Sequence, residues 1–169
     1  MKKYKVLFCD LDGTLIETAS GETFPKGIWD MKLKFDVLEA IKKLSPEYVF
    51  IVSNQGGIEK GFVNKASFNS KLTYICNCII EYCNVSLRSY CCTSNDKSNH
   101  LRKPNTGMLE FYFHEHNFGS EIKKSDALMI GDASGKDGQW SDTDKKTAEN
   151  FGIDYLDVED FVKAMDVKI

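Results

Sequence analysis

The feature that most constrains the fold of this chain is a regular alternation of apolar, strand-like runs with helix-like segments. Strands that alternate with helices form a mostly parallel sheet covered on both sides. We therefore predict an α/β fold, a Rossmann-like parallel sheet with helices on both faces. The strand-like runs are residues 4–9, 48–52, 86–92, 127–130 and 154–156.

Apolar residues with helical spacing lie between these runs, for example Leu38, Ile41 and Leu44. Two polar segments, residues 17–35 and 95–105, do not fit the alternation. Long loops in compact domains are often functional, so we expect both to serve the site. Neither is long enough to form a large cap domain, and the site should therefore be open to a bulky substrate.

The length of 169 residues predicts a single domain over residues 1–169. No apolar run approaches the roughly 20 residues that cross a bilayer, and the Lys-Lys start lacks the apolar stretch of a signal peptide. We expect a cytoplasmic or nuclear monomer with no membrane partner. The net charge of −3 argues against a protein that coats nucleic acid by bulk electrostatics.

The six cysteines lie in apolar stretches, which favours buried hydrophobic side chains over a disulfide set. Cys76 and Cys78 form one close pair, and Cys91 and Cys92 form another. Neither pair has the spacing of a structural zinc site. We therefore expect no zinc.

The first strand-like run ends in two aspartates, Asp10 and Asp12, followed by Gly13 and Thr14. Residues i and i+2 of an extended chain point to the same side, so both carboxylates can converge at the carboxyl edge of the sheet. Because like charges repel, they need a cation or a shared proton, and Mg²⁺ is the simplest solution. The alternative is a solvated turn, since Asp-Gly is a common turn pair.

Three further strand ends or helix starts carry the polar groups that a phosphate site needs. The string Ser53-Asn54-Gln55-Gly56-Gly57 offers a hydroxyl, amides and glycine N–H groups to an anion. Lys103 precedes a proline, and Asp132 follows an apolar strand. Each has an ordinary alternative: a Gly-Gly turn, a surface lysine, and an acid that solvates a loop or caps a helix, as Asp142 or Asp144 would.

Taken in order, these four motifs resemble those of the haloacid dehalogenase superfamily of phosphotransferases. The resemblance implies that Asp10 is the nucleophile, Asp12 the general acid and base, Ser53 the phosphate-binding hydroxyl and Lys103 the stabilising lysine. It also implies a site for Mg²⁺. The metal ligands it implies are Asp10, the backbone carbonyl of Asp12, Asp132 and a second acid, either Asp144 or Asp137.

Longer strings resemble the phosphatase domain of polynucleotide kinase 3′-phosphatases. They include residues 20–27, 53–58, 102–108, 131–136 and 140–144. The resemblance implies removal of a 3′-phosphate from DNA strand ends through an aspartyl-phosphate, with Thr14, Asn54, Gln55 and Arg102 as further substrate-binding residues. Ala19 departs from it, because these relatives often carry a basic residue there. No Gly-x-x-x-x-Gly-Lys-Ser/Thr string occurs, so we expect no use of ATP.

A DNA ligand needs cations, and residues 88–103 hold more bases than acids. The bases are Arg88, Lys97, His100, Arg102 and Lys103, against the single acid Asp96. This segment forms either a local basic patch or a solvated loop. The aromatic residues Phe24, Trp29 and Trp140 could stack on a terminal base, although single aromatics more often belong to the core.

Two alternatives remain at this level. One is a small-molecule phosphatase of the same superfamily, of the heptose-bisphosphate or histidinol-phosphate type. Such relatives usually carry a Cys/His zinc loop, which residues 91–100 do not supply. The other is a non-catalytic phosphoacceptor module; a base at Asp12 argues against it, because it would promote turnover.

Overall fold

The computed structural model describes residues 2–115 and 122–167, and its core is a five-stranded parallel sheet. The strands, in chain order, are β1 (Val6–Cys9), β2 (Ile16–Glu17), β3 (Lys32–Leu33), β4 (Tyr48–Asn54), β5 (Ser86–Cys92), β6 (Ala127–Gly131) and β7 (Asp154–Asp157). The sheet order is β5-β4-β1-β6-β7, and all neighbouring strands are parallel. The predicted α/β class is confirmed.

Helices cover both faces of this sheet. They are α1 (Phe35–Leu44), α2 (Gly56–Glu59), α3 (Lys65–Cys83), α4 (Gly107–Glu115), α5 (Thr143–Phe151) and α6 (Val158–Ala164), with a short 3₁₀ turn at Lys124–Asp126. Side chains alternate across β1, so Leu7 and Cys9 face one core, while Val6 and Phe8 face the other. Helices α1, α3 and α6 pack on the first side, and α4 and α5 pack on the second.

Local sequence signals explain where α3 begins and ends and where α6 begins. Asn64 caps α3, because its side-chain oxygen accepts a hydrogen bond from the Ser67 N–H at 3.0 Å. The same helix ends at Cys83 and is followed by Asn84, a residue type that tolerates the left-handed conformation found there, with φ of 55°. Asp157 caps α6 by accepting from the Glu159 N–H at 3.0 Å.

The polar segment at residues 17–35 forms a small hairpin rather than a cap domain. β2 and β3 pair antiparallel, with Ile16 opposite Leu33 and Glu17 opposite Lys32. The loop between them, residues 18–31, is mostly exposed and lies beside Asp12. This leaves the carboxyl edge of the sheet without a large cap.

Three of the six cysteines are buried, in contrast to the prediction that all of them are buried hydrophobic side chains. Cys9, Cys83 and Cys92 are buried, whereas Cys76, Cys78 and Cys91 keep some exposure, and all six are free thiols. The difference arises because Cys76 and Cys78 lie on α3 outside its most buried stripe.

None of the helices in the described ranges combines the length and the apolar character that crossing a bilayer requires.

Candidate active site

The register of the sheet places the end of β1 at the centre of a polar site. Cys9 pairs with Ile51 of β4 on one side and with Ile130 of β6 on the other. The next residue, Asp10, continues the ladder by donating its N–H to the Ile130 carbonyl at 3.1 Å. Its carboxylate therefore lies between the ends of two neighbouring strands, where open α/β sheets bind their ligands.

Lys103 joins Asp10 to a second acid, Asp144. Its ammonium Nζ lies 2.6 Å from Asp10 Oδ1 and 2.6 Å from Asp144 Oδ1. The three residues are 4%, 8% and 1% exposed, so these ion pairs are shielded from water and from salt. A buried ammonium that lies between two carboxylates is also well placed to donate a hydrogen bond to an anion bound beside them.

Asn54 fixes the backbone that carries Lys103. Its amide Nδ2 donates to the Lys103 carbonyl at 3.0 Å, and its Oδ1 accepts from the Lys103 N–H at 3.0 Å. Because both the Nδ2 and the Oδ1 of Asn54 bond to the backbone of Lys103, the Asn54 side chain positions Lys103 in this structure. The direct phosphate contact expected of Asn54 stays a prediction.

Gln55 links the second aspartate of β1 to the end of β4. Its Nε2 donates to Asp12 Oδ2 at 2.6 Å and to Ser53 Oγ at 3.0 Å. These hydrogen bonds hold the Ser53 hydroxyl and the Asp12 carboxylate near each other. Ser53 is only 2% exposed, whereas Asp12 is exposed to solvent.

Three carboxylates of the site could hold a metal ion. One oxygen from each of Asp10, Asp132 and Asp144 lies within 4.8 Å of the others. Together with the ammonium of Lys103 these groups carry a formal charge of −2, which a divalent cation would neutralise. Hard carboxylate oxygens are the ligands that Mg²⁺ prefers, so the residues present fit this ion.

Two glycines allow the acids to approach so closely. A Cβ on Gly13, which has φ of +81°, would fall 2.1 Å from Asp132 Oδ2. A Cβ on Gly131 would fall 2.2 Å from Asp144 Oδ2. Side chains at either position would collide with the carboxylates, so the Asp-Gly and Gly-Asp strings serve the geometry of the site as well as its turns.

The pKa values show that these charges are crowded. Burial raises the pKa of Asp10 to about 8, against the lowering effect of Lys103, and the Asp144 carboxylate adds to the rise. Burial and Asp144 also raise the pKa of Asp132. Burial alone would lower the pKa of Lys103, but Asp10 and Asp144 outweigh it and raise this pKa above its ordinary value. A cation at the carboxylates would favour their ionised forms.

The structure distinguishes the two acids proposed as a further metal ligand. Asp144, in the first turn of α5, enters the triad and also accepts from the Ala133 N–H at 3.2 Å. Asp137 is exposed and lies outside the triad. Asp142 occupies the N-cap position of α5, but its side chain pairs with Lys146 at 2.7 Å instead of capping the helix.

Two of the other expected substrate-binding residues have different surroundings. Thr14 is fully buried, and within the described residues its hydroxyl has no hydrogen-bond partner. Arg102 is half-buried, and its Nη1 donates to the Ser94 carbonyl at 2.7 Å, which braces the loop that carries Lys103. Contact of either residue with substrate stays a prediction.

Sequence reasoning missed Lys34, which precedes α1. Its Nζ donates to the Gly13 carbonyl at 3.0 Å, and its charge helps to lower the pKa of Asp132 against the effect of burial. The residue lies in a polar loop with no motif around it, so no local signal identifies it. Only the hairpin of β2 and β3 brings it to the site.

Residues 5–162 match the protein family described as polynucleotide kinase 3 phosphatase. The chain belongs to this family. The match includes all the site residues described above. Membership of the family confirms the resemblance to the phosphatase domain of polynucleotide kinase 3′-phosphatases that the motifs indicated. The fold is shared with a solved putative haloacid-dehalogenase-like phosphatase of Mesorhizobium loti, which is 18% identical and superposes with a TM-score of 0.67 over 98% of this chain and 88% of its own.

The relatives of this chain carry different names. A bifunctional polynucleotide phosphatase/kinase of Schizosaccharomyces pombe is 34% identical over 95% of the chain, and the match covers 38% of that protein. A histidine biosynthesis bifunctional protein HisB of Legionella pneumophila is 31% identical over 91% of the chain and 41% of its own length. The chain thus spans about two fifths of the length of these two relatives.

A third relative is close to this family member in size. It is an uncharacterized 20.8 kDa protein of Autographa californica nuclear polyhedrosis virus, 30% identical over 96% of the chain and 87% of that protein. Among solved structures, a D,D-heptose 1,7-bisphosphate phosphatase of B. bronchiseptica, complexed with magnesium and phosphate, superposes with a TM-score of 0.68. It is 19% identical and covers 89% of this chain and 78% of its own, which shows a shared fold.

Proposed function

We propose that this chain removes the 3′-phosphate from DNA strand ends in a Mg²⁺-dependent reaction that passes through an aspartyl-phosphate on Asp10. The observation that carries the proposal is the family match over residues 5–162. The site supports the chemistry, because it joins a buried carboxylate, a buried ammonium and a more exposed acid at one sheet edge.

In the first step an oxygen of Asp10 attacks the phosphorus, and the bond between phosphorus and the 3′-oxygen breaks. The product is an acyl-phosphate on Asp10, and the leaving 3′-oxygen takes a proton from Asp12, which Gln55 holds in position. Lys103 already contacts Asp10 and donates toward the non-bridging oxygens of the transferring group. The Ser53 hydroxyl provides a further hydrogen bond.

In the second step water attacks the acyl-phosphate and releases inorganic phosphate. Asp12, which lost its proton in the first step, takes a proton from this water, so Asp10 and Asp12 both return to their starting states. Splitting the hydrolysis into two displacements is valuable because uncatalysed hydrolysis of phosphate monoesters is extremely slow.

Asp10, Asp132 and Asp144 would hold the metal ion, together with the backbone carbonyl of Asp12. When bound, Mg²⁺ supplies positive charge beside the transferring phosphoryl group. Lys103 then has two tasks, because it balances Asp144 and orients Asp10 for attack.

The loop before α4 provides the cations for a DNA strand, but fewer than its composition predicts. Lys103 is buried in the site, and His100 lies 3.3 Å from Glu110. Lys97 is exposed, and its ammonium has no ion-pair partner among residues 2–115 and 122–167. A pocket of about 350 Å³ with Lys97 and His100 in its lining fits a backbone phosphate.

The exposed aromatics differ in their suitability for stacking on a base. A stacking residue must be accessible to a base and must lie near the site. Phe24 is 81% exposed and lines the cavity beside Asp12, so it satisfies both conditions. Trp29 packs edge-on against Tyr74 with ring centroids 6.0 Å apart, and Trp140 is 95% exposed outside this cavity. We therefore propose Phe24 as the stacking residue.

The second candidate is a histidinol-phosphate phosphatase, which the 31% identity to HisB of Legionella pneumophila favours. The same Asp10, Asp12 and Lys103 chemistry would serve this substrate equally well. The two candidates differ only in what the loops around the pocket bind.

The deciding experiment offers the chain and Mg²⁺ four substrates at equal concentration. They are a 3′-phosphorylated oligonucleotide, its 5′-phosphorylated isomer, histidinol phosphate and a heptose bisphosphate. We expect kcat/KM for the 3′-phosphorylated oligonucleotide to exceed the others by about 100-fold. An Asp10→Asn preparation controls for contaminating phosphatases. Faster turnover of histidinol phosphate or of the sugar would contradict the proposal and favour the small-molecule candidate.

A further inference from the structure

A cavity of about 710 Å³ adjoins the catalytic pocket. Asp12 and Gln55 form its inner end, the loop at residues 18–31 forms one side, and the start of α3 forms another. Its volume is in the range that protein ligand sites occupy. Anything attached to a phosphate at Asp10 on this side would extend into it.

One charged residue, Lys71, lies on the face of α3 that borders this cavity. The neighbouring buried residues along that face are Phe68, Ile75 and Ile79, all apolar. Lys71 is only 6% exposed and contributes to the cavity lining. A buried lysine packs its aliphatic stem against apolar neighbours and directs its ammonium toward the nearest polar space, which is here the cavity.

The acids that line the cavity are already partnered by other residues. Glu17 pairs with Lys32 at 3.0 Å, and Glu22 pairs with Lys26 at 3.6 Å. Asp12 accepts from Gln55, as described above.

Asp30 accepts from the Ser20 hydroxyl at 2.7 Å and from the Lys26 N–H at 2.8 Å. Lys71, by contrast, makes no side-chain hydrogen bond or ion pair within the part of the chain that the structure describes. The stem of Lys71 is nearly buried, but its ammonium still reaches the water of the cavity, where an anion would be able to pair with it.

We propose that Lys71 is the cation of a subsite that binds the phosphodiester next to the terminal phosphate. This inference rests on the proposed function, because it names the second anionic group of a DNA 3′ end. The phosphodiester carries one negative charge, and the subsite offers one free cation to it. Phe24 and Phe62, 81% and 80% exposed, line the same cavity and flank the adjoining nucleotide.

The test combines a change in the protein with a change in the substrate. Lys71→Met keeps the length and the apolar stem but removes the charge, and Lys71→Arg restores a charge. Lys65→Met is the matched control, because Lys65 is an exposed lysine of the same helix. The substrates are a 3′-phosphorylated oligonucleotide and the same oligonucleotide with a neutral methylphosphonate at the adjoining linkage. Thermal unfolding checks that every variant is folded.

We expect the methylphosphonate to raise KM about 10-fold in the unmodified chain and in Lys65→Met. In Lys71→Met the normal oligonucleotide should already have the raised KM, and the methylphosphonate should add nothing. Lys71→Arg should recover part of the difference. If the methylphosphonate penalty is the same in Lys71→Met as in the unmodified chain, Lys71 does not bind this group, although the proposed function stands. If the unmodified chain does not dephosphorylate the oligonucleotide, the proposed function fails and the subsite fails with it.

Discussion

The catalytic pocket and the two loops that flank it are built in opposite ways. In the pocket, Asp10, Lys103 and Asp144 are nearly fully buried and joined by contacts of 2.6 Å. In the loops at residues 18–31 and 94–106, most side chains are exposed or half-buried. The pocket contains the groups that any phosphomonoester needs, whereas the loops contain the groups that could distinguish one substrate from another.

The two kinds of region should respond differently to substitution. A buried network of charges tolerates little change, because removing one partner leaves another charge unpaired. An exposed loop tolerates many changes at little cost to stability.

The largest expected effect tests the pocket directly. Asp10→Asn and Asp12→Asn should each lower kcat by at least about 10³-fold on every substrate, because an amide cannot form the acyl-phosphate or carry the proton. Release of phosphate from p-nitrophenyl phosphate and from a 3′-phosphorylated oligonucleotide measures the loss. Circular dichroism verifies the fold. Normal turnover by a folded Asp10→Asn variant would rule out the mechanism.

The next effect concerns the metal ion. Activity should disappear after dialysis against EDTA and return with Mg²⁺ or Mn²⁺, without zinc. Asp132→Asn should raise the Mg²⁺ concentration for half-maximal activity by at least about 10-fold, since it removes one carboxylate of the triad.

Asp137→Asn is the matched control for this metal experiment, because Asp137 is exposed and lies outside the triad. It should leave the Mg²⁺ dependence unchanged. Strong activity that survives exhaustive removal of metal would contradict the prediction.

The sequence predicted the five strands of the main sheet and the convergence of Asp10 and Asp132 well, because local patterns encode both, whereas Lys103 lies in the loop before α4 and was recognised by its motif. Apolar runs identify strands, and every parallel strand presents its end at the same edge. The choice of Asp144 over Asp137 could not be made in this way. It depends on the path of residues 133–142, which is set by contacts with Asp157 that are distant in the sequence.

Lys71 shows the same limitation more strongly. In the sequence it lies between Ser70 and Leu72, where a lysine is normally a solvated residue. Its burial depends on what packs over α3 from other parts of the chain. Helical periodicity describes which residues share a face, but long-range packing decides which faces are covered.

A third, smaller effect tests the contacts that hold the loop after Asp132, on one side of the pocket. Asp157 accepts from the Ser134 hydroxyl at 2.7 Å, from Gln139 at 2.8 Å and from Lys136 at 3.0 Å. It thereby anchors the loop that follows Asp132. Burial opposes ionisation, but these hydrogen bonds prevail and lower the pKa of Asp157 to about 2.

Asp157→Asn should therefore reduce the free energy of unfolding by about 2 kcal/mol at pH 7. A lowered pKa stabilises the folded state above the unfolded pKa of about 4, and this contribution is lost as the pH falls toward about 2. The difference between the two proteins should shrink over that interval in urea titrations. Asp137→Asn again provides the exposed control, and a difference that is constant with pH would contradict this account.

The smallest effect tests the loops. Arg102 braces the Ser94 carbonyl, so replacing it would disturb the loop itself, whereas Lys97 is exposed and makes no ion pair within the described ranges. If Lys97 contacts one backbone phosphate, Lys97→Ala should make the slope of log affinity against log salt shallower by about 0.7 for a single-stranded oligonucleotide. Lys163→Ala, an exposed lysine on α6, is the matched control. The slopes are measured by fluorescence anisotropy of a labelled oligonucleotide. Each lysine substitution is made in the Asp10→Asn variant, so that the oligonucleotide is not turned over during the measurement. Equal slopes for both lysine variants would mean that the strand follows another path, and the loop before α4 would then contribute to the pocket only through Lys103.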